Sequence, residues 1–261
     1  MRLRDLHIHA IAVPRIYNTR VAPAGGPPEG KDISQYYILE FETEAGLTGL
    51  GEVSDLEDAW GAPAPAVLRQ TLLAPLVDID LRQRRPAWDR VNDALPTDYH
   101  PEFRRLVTAA VDVGLLDLNA KHHHAPAHAL LGGCCRDALP VSWVAYIRSV
   151  AELEEEIAEK VDAGFSAFKL KVGADFALDC ERIRVCRRLA GPDAYIKADA
   201  SGAWEEEEAI DRIRTLSGLG VDAVETPLRQ IARSVAKDRP EEINADPEAA
   251  AQALARVREA V

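Results

Sequence analysis

Along the first third of the chain, the spacing of apolar residues changes from alternating to helical. Leu3 to Val13 alternates loosely and predicts a strand. Residues 14–31 contain Pro23-Ala24-Gly25-Gly26-Pro27-Pro28 and predict a loop. Ser34 to Thr43 alternates through Tyr37, Leu39 and Phe41; a Glu44-Ala45-Gly46 turn signal and a strand from Leu47 to Val53 follow. An antiparallel meander is expected here. From Ala64 to Ala120 the spacing is helical, punctuated by Pro75, Pro86, Pro96 and Pro101. Within it, Phe103 to Lys121 carries Leu106, Val107, Ala110, Val113, Leu116 and Leu118 as the expected apolar stripe. Leu130-Leu131-Gly132-Gly133 closes a short helix with a glycine stop.

From Leu139 the pattern alternates strand and helix. Strands are expected at Val141–Ile147, Ala167–Val172, Tyr195–Ala200 and Ala223–Leu228. Helices are expected at Val150–Ala163, Asp175–Leu189 and Trp204–Leu219, the last opening with four glutamates at the positive end of its dipole. Such alternation implies parallel strands with right-handed crossovers, in a doubly wound sheet or in part of a barrel. After Leu228 the rhythm fails. Residues 229–242 are charged and poorly patterned, 243–246 give a weak strand signal, and Pro247 to Val261 predicts an alanine-rich helix.

Composition narrows the function classes. The chain has 261 residues, 47% of them hydrophobic, enough for a core without staples. A formal net charge of −12 argues against nucleic acid and against anionic membranes as partners. Cys134, Cys135, Cys180 and Cys186 show neither CxxC spacing nor a disulfide framework, so a reducing cytoplasm is the expected setting. There is no signal-peptide h-region and no apolar run long enough to span a bilayer.

The candidate chemistry lies on the expected strands. In Phe168-Lys169-Leu170-Lys171-Val172 the two lysines must share a face, because strand side chains alternate. Asp199 and Glu225 end the next two strand-like runs. In a parallel barrel such ends converge on one rim, where active sites lie. Each residue has a plain structural reading: edge-strand lysines, a turn aspartate before Ser201-Gly202, an isolated glutamate before Pro227. The coincidence of all four favours a site. Lys197 faces the side of Asp199 and is its expected ion-pair partner. Arg148 is either a substrate contact or the partner of a glutamate. His122, His123, His124 and His128 follow a helix end and read as solvated, since no ligand spacing accompanies them. Cys134 and Cys135 read as buried or half-buried small residues, and Trp60, Trp143 and Trp204 as packing residues.

In order, these segments resemble the enolase superfamily, in its mandelate racemase/muconate lactonizing enzyme group. The resemblance rests on Gly49-Leu50-Gly51-Glu52, on Leu115-Leu116-Asp117-Leu118-Asn119-Ala120-Lys121, on Leu130-Leu131-Gly132-Gly133, on the Lys-x-Lys pair, on Asp199 in Asp-Ala-Ser-Gly-Ala-Trp and on Glu225 in Val-Glu-Thr-Pro. It implies an α/β chain: an α+β capping domain over residues 1–133, then a partial (β/α) TIM-type barrel of about four to five βα units over residues 134–261. It implies Mg2+ held by Asp199, Glu225 and a third carboxylate, for which Asp246 is the nearest candidate and also reads as a helix start. It implies Lys171 as the base, Lys169 as a lysine binding the substrate carboxylate, and Trp60 as a further substrate contact, beside which Arg148 keeps both of its readings. The implied chemistry is removal of a proton α to a carboxylate through an enediolate, in a racemase, epimerase, dehydratase or cycloisomerase. The partners expected are a small-molecule carboxylate and further copies of the chain. Because the rhythm stops after Leu228, the barrel reads as C-terminally truncated. The competing expectation is a non-catalytic relative serving as a binding or scaffold protein, or an inactive half-barrel.

Overall fold

The computed structural model describes residues 1–20, 30–229 and 247–261. They form two compact units: Met1–Arg15 with Ile33–Asp137, and Ile16–Asp32 with Ala138–Val261.

The first unit is a sheet faced by helices. Strands β1 (Leu3–Thr19), β2 (Lys31–Thr43) and β3 (Thr48–Val53) lie in the order β1-β2-β3, with β2 and β3 antiparallel and Tyr37 opposite Val53. The loop expected over residues 14–31 is corrected at its start, where β1 continues through Pro14 to Thr19; residues 21–29 of that loop lie outside the described residues. Strand β1 is an edge strand, where a missing N–H breaks no central ladder. Helices α1 (Pro65–Leu76), α2 (Arg84–Ala94) and α3 (Pro101–His122) follow.

Helix α3 packs on β3 at backbone distance. A Cβ on Gly51 would overlap the carbonyl oxygen of Ala110, so glycine there is a condition of the approach. The polar residues of α3 dock it onto the same strand. Asp117 Oδ2 accepts the Leu50 N–H (3.0 Å), and Lys121 Nζ donates to the Thr48 carbonyl (2.7 Å). Buried Asn119 donates to the carbonyls of Leu81 and Leu115. The bonds from Asp117 and Lys121 satisfy backbone groups on the outer edge of β3. The buried stripe of α3 runs through Phe103, Val107, Val111, Leu115 and Leu118; Val113, expected on it, is exposed. The i, i+4 row from Phe103 places Val113 on the solvent side.

The second unit carries four parallel strands, β4 (Ser142–Ala145), β5 (Ala167–Lys171), β6 (Tyr195–Asp199) and β7 (Ala223–Glu225), in the order β4-β5-β6-β7. Helices α4 (Val150–Asp162), α5 (Phe176–Ala190) and α6 (Glu206–Gly218) alternate with them. Among the described strands the order never reverses. A doubly wound sheet would show a switch point, whereas a barrel wall is laid down in sequence. One face of the sheet (Phe168, Leu170, Val172, Ile196, Ala198) is buried with Leu153 and Ile157 of α4 and Ile183 and Cys186 of α5. Helix α7 (Pro247–Ala260) adds Ala253 and Val257 to the same core, and its Arg256 pairs with Glu206. The weak strand signal at 243–246 lies outside the described residues.

Of the boundaries that differ from expectation, two have a visible cause. Helix α6 starts at Glu206, because Trp204 is fully buried and bridges in parallel to Leu228. Strand β7 ends at Glu225, because Thr226 takes a left-handed φ of 44°. Cys134 and Cys135, expected inside, are exposed in the irregular segment after Gly133.

Candidate active site

The pairing register places Lys171 beside Asp199 and Asp199 beside Glu225, at the C-terminal ends of β5, β6 and β7. Two residues earlier, Lys169 stands beside Lys197. Because alternate residues share a face, all five side chains leave the sheet on the side away from the helices. The structure therefore brings Lys169, Lys171, Asp199 and Glu225 together and adds Lys197.

The contacts are short. Lys171 Nζ lies 2.7 Å from Asp199 Oδ2 and 3.4 Å from Ser201 Oγ. Lys169 Nζ bridges the carboxylates, 2.9 Å from Asp199 Oδ2 and 2.8 Å from Glu225 Oε1. Lys197 Nζ lies 2.7 Å from Glu225 Oε2. Lys197 was expected to pair with Asp199; its partner is Glu225, on the neighbouring strand. The other Asp199 oxygen, Oδ1, accepts the Ser201 N–H (2.9 Å). Ser201 and Thr226 both adopt left-handed φ, 49° and 44°, directly after the strands that carry the two acids. Left-handed backbone at a non-glycine residue costs about 1–3 kcal/mol and concentrates at functional sites.

Asp199 is only 3% exposed. Burial acts to raise its carboxyl, but hydrogen bonds from Lys171 and Lys169 outweigh that and hold it down at about 2. In Glu225, burial is likewise outweighed by Lys169 and Lys197, and the carboxyl is lowered. Burial works to lower the Lys169 ammonium, but its two carboxylate partners raise it on balance. Three ammonium groups against two carboxylates leave the cluster with an excess positive charge, which suits an anionic ligand. The donor set also fits a hard divalent cation. Asp199 and Glu225 offer oxygen only and stand side by side in register. Among the described residues no group of three or more His, Cys, Asp or Glu could hold a metal ion. Asp246 lies outside the described residues.

The remaining candidates make other contacts. Arg148 pairs with Glu152 (3.0 Å) and Glu156 (3.5 Å) on α4, and its guanidinium lies 4.4 Å above the Tyr17 ring. Glu156 is buried and accepts from Tyr17 Oη (2.6 Å) and Trp143 Nε1 (2.9 Å). Trp60, in the first unit, stacks on His100. His122, His123, His124 and His128 are exposed, and His123 caps the end of α3. Sequence reasoning missed Ser201 as an Asp199 partner, although the Asp-Ala-Ser spacing suits a side chain accepting from the backbone two residues on. It also missed the buried Asp179–Arg182 pair, whose partners are mostly backbone groups.

Comparison with known proteins agrees with this fold. Residues 21–132 match the family model for the mandelate racemase/muconate lactonizing enzyme N-terminal domain, and residues 152–246 match the enolase C-terminal domain-like model. An N-succinyl-L-Arg/Lys racemase of Bacillus cereus is 27% identical over 236 residues, 87% of this chain and 60% of that protein. A hydrophobic dipeptide epimerase of Enterococcus faecalis is 26% identical over 236 residues, 88% of this chain and 62% of that protein. The fold matches a crystal structure of a dipeptide epimerase from Cytophaga hutchinsonii complexed with Mg and the dipeptide D-Ala-L-Val, with a TM-score of 0.79 and 21% identity, covering 100% of this chain and 63% of that one. The chain thus spans less than two thirds of the length of these relatives. It belongs to the enolase superfamily, in the mandelate racemase/muconate lactonizing enzyme group.

Proposed function

We propose that this protein removes the proton α to a carboxylate, with Mg2+, in a racemisation, epimerisation or cycloisomerisation. The observation that carries the proposal is the ion-pair cluster of Lys169, Lys171, Asp199 and Glu225 at the ends of three consecutive parallel strands. Relatives named as racemases and epimerases of N-succinyl amino acids and dipeptides support a substrate whose reacting carbon adjoins a carboxylate.

In this reading Asp199 and Glu225 hold the metal, with Asp246 as a further candidate ligand. When bound, Mg2+ supplies positive charge for the substrate carboxylate, whose oxygens gain a second negative charge when the α-proton leaves. Lys169 binds that carboxylate. Lys171 takes the proton. Its amine is the cluster's lysine at the strand tip, with Ser201 Oγ beside it. Lys197 holds Glu225. Arg148 is proposed as a substrate contact, and Trp60 on the resemblance alone. A cytoplasmic location and self-association belong to the same proposal; no described helix is long and apolar enough to cross a membrane.

The test is α-proton exchange in D2O with Mg2+ over a panel of N-acylated amino acids and dipeptides. Lys171→Ala is expected to lower exchange by about 10²–10⁴-fold, the range for loss of a general base. Exchange by Lys171→Ala equal to the parent's, or none by the parent, overturns the assignment. One observation favours a non-catalytic binding protein instead: the cluster is already closed on itself by lysine–carboxylate pairs. Calorimetry with Mg2+ separates the readings. Binding lost in Asp199→Asn and Glu225→Gln supports a metal site, and absence of binding in the parent favours the alternative.

A further inference from the structure

Arg182, on α5, is completely buried and paired with Asp179, itself 1% exposed. A buried ion pair is a poor device for stability, since desolvation offsets the attraction and apolar replacements are often neutral. Burial indeed raises the Asp179 carboxyl and lowers the Arg182 guanidinium. The pair's contacts point to another task.

Arg182 Nη1 donates to the Lys171 carbonyl (2.7 Å), and Nη2 donates to the Tyr146 carbonyl (2.6 Å) just beyond β4. Asp179 Oδ2 accepts the Gly173 N–H (2.7 Å). Between them, the Val172 N–H donates to the Asp199 carbonyl (2.9 Å). Three backbone groups from the Lys171 carbonyl to the Gly173 N–H are thus tied down, two by the buried pair and one by the strand that carries Asp199. Gly173 itself turns at φ 110°. The Cα of Lys171 has little freedom, and its Nζ is aimed at Asp199 and Ser201.

We infer that Arg182, held by Asp179, is a positioning residue that sets the direction of the Lys171 side chain by clamping the backbone at the end of β5. This rests on the reading of Lys171 as the base. The guanidinium's planar fork reaches two carbonyls on adjacent strand ends at once, which a lysine cannot do.

The test uses the full chain with Arg182→Met, Arg182→Lys and Asp179→Asn, compared at equal folded fraction. In the exchange assay, Arg182→Met is expected to lower kcat by about 10–100-fold with KM little changed, the size of effect a small misplacement of a reacting group produces. Arg182→Lys, keeping one of two carbonyl bonds, should recover part of the loss. Independently of activity, reductive methylation read by mass spectrometry should show a changed Lys171-to-Lys169 labelling ratio in Arg182→Met, with Lys121 and Lys160 unaffected. If Arg182→Met does not fold, Asp179→Asn carries the same expectation. An unchanged ratio in a folded variant, or a change shared by all lysines, overturns the inference. A parent without exchange activity sinks the proton-transfer proposal, while the labelling ratio still decides what Arg182 does.

Discussion

At the scale of single residues, neighbours rather than residue type decide what a substitution does. Gly51 and Gly46 make the contrast within one unit. A methyl on Gly51 meets the Ala110 carbonyl of α3, while a methyl on Gly46 meets nothing but would sit on a φ of 78°. Gly51→Ala is expected to destabilise by about 1–3 kcal/mol or more, from overpacking against backbone that cannot retreat. Gly46→Ala should lose only about 1–2 kcal/mol, the strain of a left-handed L-residue. Urea denaturation of both variants checks the order, and equal losses would contradict the close approach of α3. The lysines and acids of the site were legible at this scale, because strand alternation forces Lys169 and Lys171 onto one face without knowledge of the rest of the fold. The partner of Lys197 was not. Its choice of Glu225 over Asp199 depends on side-chain placement across β6 and β7, which no single strand encodes. Arg182 was invisible for a different reason: a charge that bonds to carbonyls leaves no pattern among the side chains.

At the scale of elements, α4 shows how local chemistry sets an end. Ser149 Oγ accepts the Glu152 N–H, and the Glu152 carboxylate accepts the Ser149 N–H (3.1 Å), a reciprocal cap written in the sequence as Ser-x-x-Glu. The hydrogen bonds from Ser149, side chain first and then backbone, with a further one from Arg148, hold the Glu152 carboxyl down at about 2 from its ordinary 4.5. A carboxyl lowered by folding stabilises the folded form above its unfolded value and loses that contribution as it protonates. The cap's contribution should therefore be complete above about pH 5 and fade between roughly pH 4 and 2. Ser149→Ala is expected to lose about 1 kcal/mol at neutral pH. The difference between parent and variant should shrink on acidification, as thermal unfolding across that range would show. A difference that stays constant to pH 2 would argue against the cap. Helices of this kind were legible because periodicity and caps agree. The continuation of β1 through Pro14 was not, because proline reads as a breaker until the strand is known to lie at an edge.

At the scale of the whole molecule, the four cysteines divide cleanly. Cys134 and Cys135 are exposed, whereas Cys180 and Cys186 are buried in the core of the second unit. Burial pushes the Cys186 thiol up to about 12, so its reactive thiolate is scarce at neutral pH. Titration of the native protein with an aromatic disulfide should modify two thiols quickly and the other two only on unfolding. Four fast thiols would mean that the core between α5 and the sheet opens readily. The linear alternation of strand and helix made the second unit legible as parallel, but not its debt to a distant stretch of chain. Ile16–Asp32 belongs with residues 138–261: Tyr17 Oη donates to Oε1 of buried Glu156, and the Arg20 carbonyl accepts the Ile147 N–H. The barrel unit is therefore not a contiguous segment of the gene. Recombination that exchanged everything before residue 138 for another protein's cap would strip the recipient of the tyrosine that quiets an internal acid. Such exchanges can leave a sound barrel only when the incoming piece brings its own equivalent of residues 16–32, which ties the inheritance of the two units together.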